Sequence, residues 1–105
     1  MTAPASKTGR HAILEQFLAD GMTHMFGNPG TVEQGFLDAL SDYPDLKYIL
    51  TLQESVAVMA ADGYARAVKR PTLVQIHSTP GLGNAIGALY QAKRGHAPLV
   101  VIGAD

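Results

Sequence analysis

A chain of 105 residues, 47% hydrophobic and 16% charged, with neither cysteine nor tryptophan, has the size of one small domain with a core of its own. Eight Lys and Arg against nine Asp and Glu, a net charge of −1, leave no electrostatic footprint for nucleic acid or an anionic membrane surface. The lack of cysteine excludes disulfides, thiolate metal sites and a cysteine nucleophile and gives the expectation of a cytoplasmic protein; no apolar run approaches the ~20 residues of a bilayer span.

Residues 1–7 read as a mobile polar lead with no apolar stretch of the secretory-signal kind. From Thr8, the recurrence of Ile13, Leu14, Phe17 and Leu18 on one face predicts a helix that stops at Gly21. A strand over residues 23–26 runs into the loop Gly27-Asn28-Pro29-Gly30. Thr31, with Gln34 three positions on, reads as a capping box that opens a helix over residues 32–40. Residues 46–52 predict a strand covered on both faces, as in parallel sheets.

Glu54 opens a longer helix in which Val56, Met59, Ala60, Gly63, Tyr64 and Ala67 share a face, and Pro71 ends it. Gly63 costs this helix about 1 kcal/mol relative to alanine. With Ala57, Ala60, Ala61 and Ala65 it predicts close approach of another helix, from within the chain or from a second subunit. A strand over Thr72–His77, a loop over residues 78–81, a helix through Leu82, Ala85, Ile86 and Leu89, and a strand over residues 99–102 complete the series. The alternation of strands and helices predicts an α/β fold, a parallel sheet with helices on both faces. The chain halts at the carboxyl end of its fourth strand, so that strand either lies at an edge or the sheet is truncated there within a longer chain; the second is the expectation.

Open parallel sheets bind ligands beyond the carboxyl ends of their strands, where helix N-termini converge. Behind the first three strands stand Gly27-Asn28-Pro29-Gly30-Thr31, Gln53-Glu54-Ser55 and His77-Ser78-Thr79-Pro80-Gly81. A carboxylate, an imidazole, an amide and hydroxyls thus collect on one edge. Singly, each has a plain structural explanation. Glu54 in the first turn of a helix gains about 0.3–1 kcal/mol from the dipole; enclosed between an apolar strand and an Ala/Gly/Met helix, it can instead share a proton with a ligand nitrogen. His77 either bonds backbone at a strand end or exchanges protons in the crevice. Asn28 and its glycines are turn chemistry, and Thr31 an N-cap, or they form the wall of a pocket.

The run from Gly81 to Gly87 has the spacing G-x-G-x-x-x-G, which is not the dinucleotide fingerprint, and there is no phosphate-binding G-x-x-x-x-G-K-[ST]. His24, His77 and His96 lack ligand spacing, so no metal site is expected from this chain.

Taken together, Phe26-Gly27-Asn28-Pro29-Gly30-Thr31, then Leu52-Gln53-Glu54 with Ala61-Asp62-Gly63-Tyr64-Ala65, then His77-Ser78-x-x-Gly81-x-Gly83-Asn84-Ala85-x-Gly87-Ala88-Leu89 resemble the pyrimidine-binding domain of thiamine diphosphate enzymes. The resemblance covers residues 8–105, in order, which would make them part of an N-terminal domain of that kind. His-Ser before the glycine loop is most similar to 2-oxo acid decarboxylases of the benzoylformate decarboxylase type. Acetolactate synthase-like carboligases share the general plan, and a non-catalytic α/β assembly module is the alternative from another class.

The resemblance implies that Glu54 hydrogen-bonds the aminopyrimidine ring of the cofactor, favouring the tautomer that activates the thiazolium carbon. It implies that His77 transfers protons near the substrate, and that Pro29, Gly30, Gly81 and Asn84 lie against the cofactor. Asn28, Thr31, His77 and Ser78 would then line the pocket of a small 2-oxo acid. Thr31 stands where the decarboxylase type has a serine that contacts the substrate carboxylate; the hydroxyl is kept and the pocket altered by a methyl group. The same resemblance implies a homo-oligomer with a second subunit across the cofactor, and Mg²⁺ held by a domain that these residues do not contain. The 105 residues alone are expected to be inactive.

Overall fold

The computed structural model describes residues 6–104, so residues 1–5 of the expected lead, and Asp105, lie outside the described residues. Ser6 and Lys7 are exposed, and Lys7 Nζ donates to Glu15 Oε2 at 2.5 Å. Four parallel strands, β1 (His24–Gly27), β2 (Lys47–Leu50), β3 (Thr72–His77) and β4 (Leu99–Ala104), form one sheet in the order β2-β1-β3-β4. Phe26 stands opposite Ile49 on one side and Val74 on the other, and Val74 stands opposite Val101. Among the described residues no helix is long and apolar enough to cross a membrane.

Side-chain alternation divides the sheet into two faces. Phe26, Val74 and Ile76 pack against Ala57, Val58 and Ala61 of α3 (Glu54–Val68) and Ala85 and Ala92 of α4 (Ser78–Arg94). Met25 and Leu73 face the other way, onto Leu14 and Phe17 of α1 (Gly9–Ala19) and Ala39 of α2 (Gln34–Ala39). The α/β sheet with helices on both faces is thus as expected, and so is the stop after α1, where Gly21 takes a φ of +82°.

Four local expectations are corrected. Ala57, Ala61 and Ala65 of α3 are fully buried, while Val56, Met59, Ala60 and Gly63 of the expected face lie exposed. The small residues face inward because α3 must come close to both the sheet and α4. Strand β2 is not covered on both sides: it is the sheet's edge, α3 lies over β1 and β3 instead, and Leu50 is 64% and Leu52 92% exposed.

Thr31 does not cap a helix through its side chain. It begins a 3-10 turn, Thr31–Glu33, and the box lies one residue earlier, with Glu33 Oε2 accepting from the Gly30 N–H at 2.9 Å. Finally, residues 78–81 are not a loop. Ser78 takes a left-handed φ of +54°, turning the chain from β3 directly into α4. Pro80 fits that first helical turn because its missing N–H would have no partner there.

Leu73 is fully buried on the central strand β3, so Leu73→Ala is expected to cost about 2–5 kcal/mol. The change should be read as a lowered urea midpoint at constant slope; an unmoved midpoint contradicts the packing described.

Candidate active site

The strand order fixes where a site can form. From β1 the chain moves outward to β2 and then crosses back to β3 on the other side of β1. The loops leaving β1 and β3 therefore diverge, opening a crevice at the carboxyl ends of these two strands. Gly27, Asn28, Pro29 and Gly30 leave β1 there, and His77 ends β3 beside them.

Gly30 and His77 are in close contact. A Cβ added at Gly30 would lie 2.2 Å from His77 Cε1, 2.3 Å from Nδ1 and 2.5 Å from Nε2, so the imidazole occupies the space that a side chain would need. Three ring atoms at nearly equal distance mean that the ring lies face-on over the glycine. His77 Nδ1 approaches Glu33 Oε2 at 2.9 Å and Oε1 at 3.1 Å. The His77 side chain remains 33% exposed, whereas Glu33 is 4% exposed. Glu33 is not singled out in the sequence analysis. The signal for it was the spacing Gly30-x-x-Glu33, since glycine also serves as an N-cap; Thr31 and Gln34 drew attention one residue too far along.

Beneath this pair, Tyr48 Oη donates to Gln75 Oε1 at 2.5 Å. A Cβ at Gly27 would lie 2.3 Å from Tyr48 Oη and 2.9 Å from Gln75 Oε1, so the glycine makes room for this bond. Burial pushes the Tyr48 phenol well above its usual range, and the Glu33 carboxylate adds to the effect. Gln75 Nε2 is buried without a partner among the described residues.

The second carboxylate stands on the other face of the sheet's edge. Glu54, 6% exposed, opens α3, and Gln53 before it accepts from the Ser55 N–H at 2.6 Å. Asn84 Nδ2 donates to Glu54 Oε1 at 3.1 Å. A Cβ at Gly81 would come within 2.8 Å of Glu54 Oε2. The carboxyl thus has one oxygen fixed by an amide and the other in a cradle that only glycine leaves open. That donor set fits a nitrogen heterocycle, which offers a ring nitrogen to a carboxyl group.

The remaining expected site residues fall on the same edge with different attachments. Asn28 Nδ2 donates to the Thr51 carbonyl at 2.8 Å, so its amide ties the loop to the end of β2. Pro29 and Ser78 are half-buried, and Thr31 is exposed. The structure brings Gly30, Glu33 and His77 into one cluster and Glu54, Gly81 and Asn84 into another; no hydrogen bond joins the two among the described residues. Nor, among the described residues, do three or more His, Asp or Glu side chains gather in a way that could hold a metal ion.

An open parallel sheet with a buried carboxylate and a held imidazole at its topological switch point defines a ligand-binding α/β domain. Residues 7–105 match the family described as thiamine pyrophosphate enzyme, N-terminal TPP binding domain, and the chain belongs to that family. It is 45% identical over 96 residues to the benzoylformate decarboxylase of Pseudomonas aeruginosa, covering 90% of this chain and 18% of that protein. It is 43% identical over 97 residues to a Mycobacterium tuberculosis protein ascribed to the acetolactate synthase large subunits, covering 92% of this chain and 19% of that one. Among solved structures, the thiamine diphosphate-dependent 4-hydroxybenzoylformate decarboxylase of Rhodococcus jostii RHA1 superposes with a TM-score of 0.89 at 39% identity, over 94% of this chain and 18% of that one. The chain spans about a fifth of the length of such relatives.

Gly30→Ala is expected to drive the His77 ring off Glu33, visible in a crystal structure of the variant. A ring that stays at hydrogen-bond distance from Glu33 contradicts the contact described.

Proposed function

We propose that this chain is the N-terminal part of a thiamine diphosphate-dependent 2-oxo acid decarboxylase of the benzoylformate decarboxylase type. The observation that carries this reading is the pairing, on one sheet edge, of a buried Glu54 whose Oε2 sits in the Gly81 cradle with a His77 held by a buried carboxylate. When bound, the cofactor supplies a carbon nucleophile and an electron sink for loss of CO₂. Glu54 holds a proton at the pyrimidine ring nitrogen. Asn84 fixes the other carboxyl oxygen so that the proton stays on the ligand side. Pro29, Gly30 and Gly81 present backbone without bulk to the cofactor. His77 exchanges a proton with the reacting carboxylate or carbonyl oxygen, and Asn28, Thr31 and Ser78 border the substrate. Mg²⁺ is held by residues outside this chain, and the assembled protein is cytoplasmic.

Acetolactate synthase-like carboligation uses the same edge, and the 43% identity to the Mycobacterium tuberculosis relative favours it. The products separate the two: free aldehyde and CO₂ on the first reading, a carbon–carbon-coupled product on the second. A screen of 2-oxo acids against the whole protein, reading CO₂ and aldehyde together, decides between them. Glu54→Gln is expected to slow exchange of the bound cofactor's C2 proton by about 10²-fold or more, the scale of a lost acid–base contribution. Unchanged exchange removes Glu54 from this role.

A second copy of the protein closes the site in this reading. Support comes from exposed apolar side chains on neighbouring helices: Val56 and Met59 on α3, and Leu82, Ile86 and Tyr90 on α4, each at least 42% exposed. Gly63, Gly83 and Gly87 on the same helices have open space where a Cβ would stand, so another backbone can approach closely. Ile86→Asp is expected to shift the whole protein toward smaller species in sedimentation; an unchanged distribution moves the interface elsewhere.

A further inference from the structure

The Glu33 carboxylate is 4% exposed, and among the described residues no lysine or arginine pairs with it. Its donors are the Gly30 N–H at 2.9 Å and His77 Nδ1 at 2.9 Å, both to Oε2, with Nδ1 also 3.1 Å from Oε1. A buried carboxylate that lacks donors carries a large desolvation penalty. With a single backbone N–H as its other donor, Glu33 requires that Nδ1 carry a hydrogen in both the neutral and the protonated imidazole. Because the ring lies flat over Gly30 and its Nδ1 side points into the protein, Nε2 is the nitrogen left without a partner among the described residues, on a ring that is one-third exposed.

We propose that Glu33 is a positioning residue for His77: it fixes the Nδ1–H tautomer and presents Nε2 as the nitrogen that gives and takes a proton in the crevice. Nε2 is then a base when His77 is neutral and an acid when it is charged, and Glu33 does not itself transfer the proton. The same carboxylate holds Gly30 in place, so one side chain sets both the floor under the ring and the hydrogen on it. The catalytic consequence rests on the decarboxylase reading, whereas the tautomer does not.

The test uses the whole protein with ¹⁵N-labelled histidine, observed by NMR without substrate, and compares wild type, Glu33→Gln, Glu33→Ala and Glu33→Asp. Wild type is expected to show His77 as the Nδ1–H tautomer in its neutral form. Glu33→Ala should shift its population to Nε2–H or to a mixture, Glu33→Gln, which keeps one acceptor, should shift it less, and Glu33→Asp should restore most of the wild-type pattern. In turnover of whichever 2-oxo acid the whole protein accepts, Glu33→Gln should lower kcat by about 10²-fold with cofactor affinity within about twofold, as for loss of an acid–base group alone. Glu33→Gln keeps the shape and one acceptor, so it remains informative if Glu33→Ala fails to fold. A His77 tautomer that is Nε2–H in wild type, or unchanged in Glu33→Ala, overturns the proposal. Equal loss of kcat and cofactor binding would make Glu33 a structural residue and overturn it as well. If no 2-oxo acid is turned over while the tautomer switches as expected, it is the decarboxylase reading that fails and the positioning of His77 that stands.

Discussion

Pairing β1 directly with β3, while β2 lies outside β1, makes the chain reverse its direction of winding between these strands, so the loops that leave them part. Everything chemical in the domain gathers at that parting. Gly30 comes from one loop, His77 ends the other strand, and Glu33 spans from the first to the second. Glu54 and Asn84 belong to the helices that follow β2 and β3. Had β3 paired outside β2, the imidazole and the Gly-Asn-Pro-Gly loop would be two strand spacings apart, about 10 Å, and no single carboxylate would reach both.

The two buried carboxylates are handled in contrasting ways. Glu33 is satisfied within the chain, by a backbone N–H and an imidazole, and its conformation is thereby settled. Among the described residues Glu54 receives one side-chain hydrogen bond, from Asn84, and keeps its other oxygen in the cradle beside Gly81. Since burying a carboxylate is costly without partners, the first arrangement suits a residue that holds something in place and the second suits one that waits for a ligand. Their glycines follow the same logic: Gly30 and Gly81 leave space that is filled by a side chain from elsewhere in the chain, His77 and Glu54 respectively.

The fold was legible because its signals are periodic and redundant. Four apolar runs alternating with helical stretches admit few arrangements besides a parallel sheet, and Gly21 and Pro71 mark stops that do not depend on tertiary context. Glu54 and His77 are legible as candidates because one opens the helix that follows β2 and the other ends β3. Glu33 is not, since a glutamate in the first turn of a helix is ordinary and its partner lies 44 positions away. The inward face of α3 is obscured in the sequence for a related reason. Val56 and Met59 look like core by hydropathy, but the close approach of α4 admits alanines there and leaves these two side chains outward. The apolar run of β2 predicts cover on both faces because it does not disclose that the strand lies at an edge.

The glycines of α4 carry a thermodynamic consequence. Gly81, Gly83 and Gly87 stand in its first ten residues, and each lowers helix stability by about 1 kcal/mol relative to alanine. Such a segment would not hold a helix by itself, so its first turns owe their order to α3 and the sheet beneath. Transient fraying there would carry Asn84 away and admit water to Glu54. The order of the segment that cradles the carboxyl group therefore depends on packing supplied by the rest of the domain.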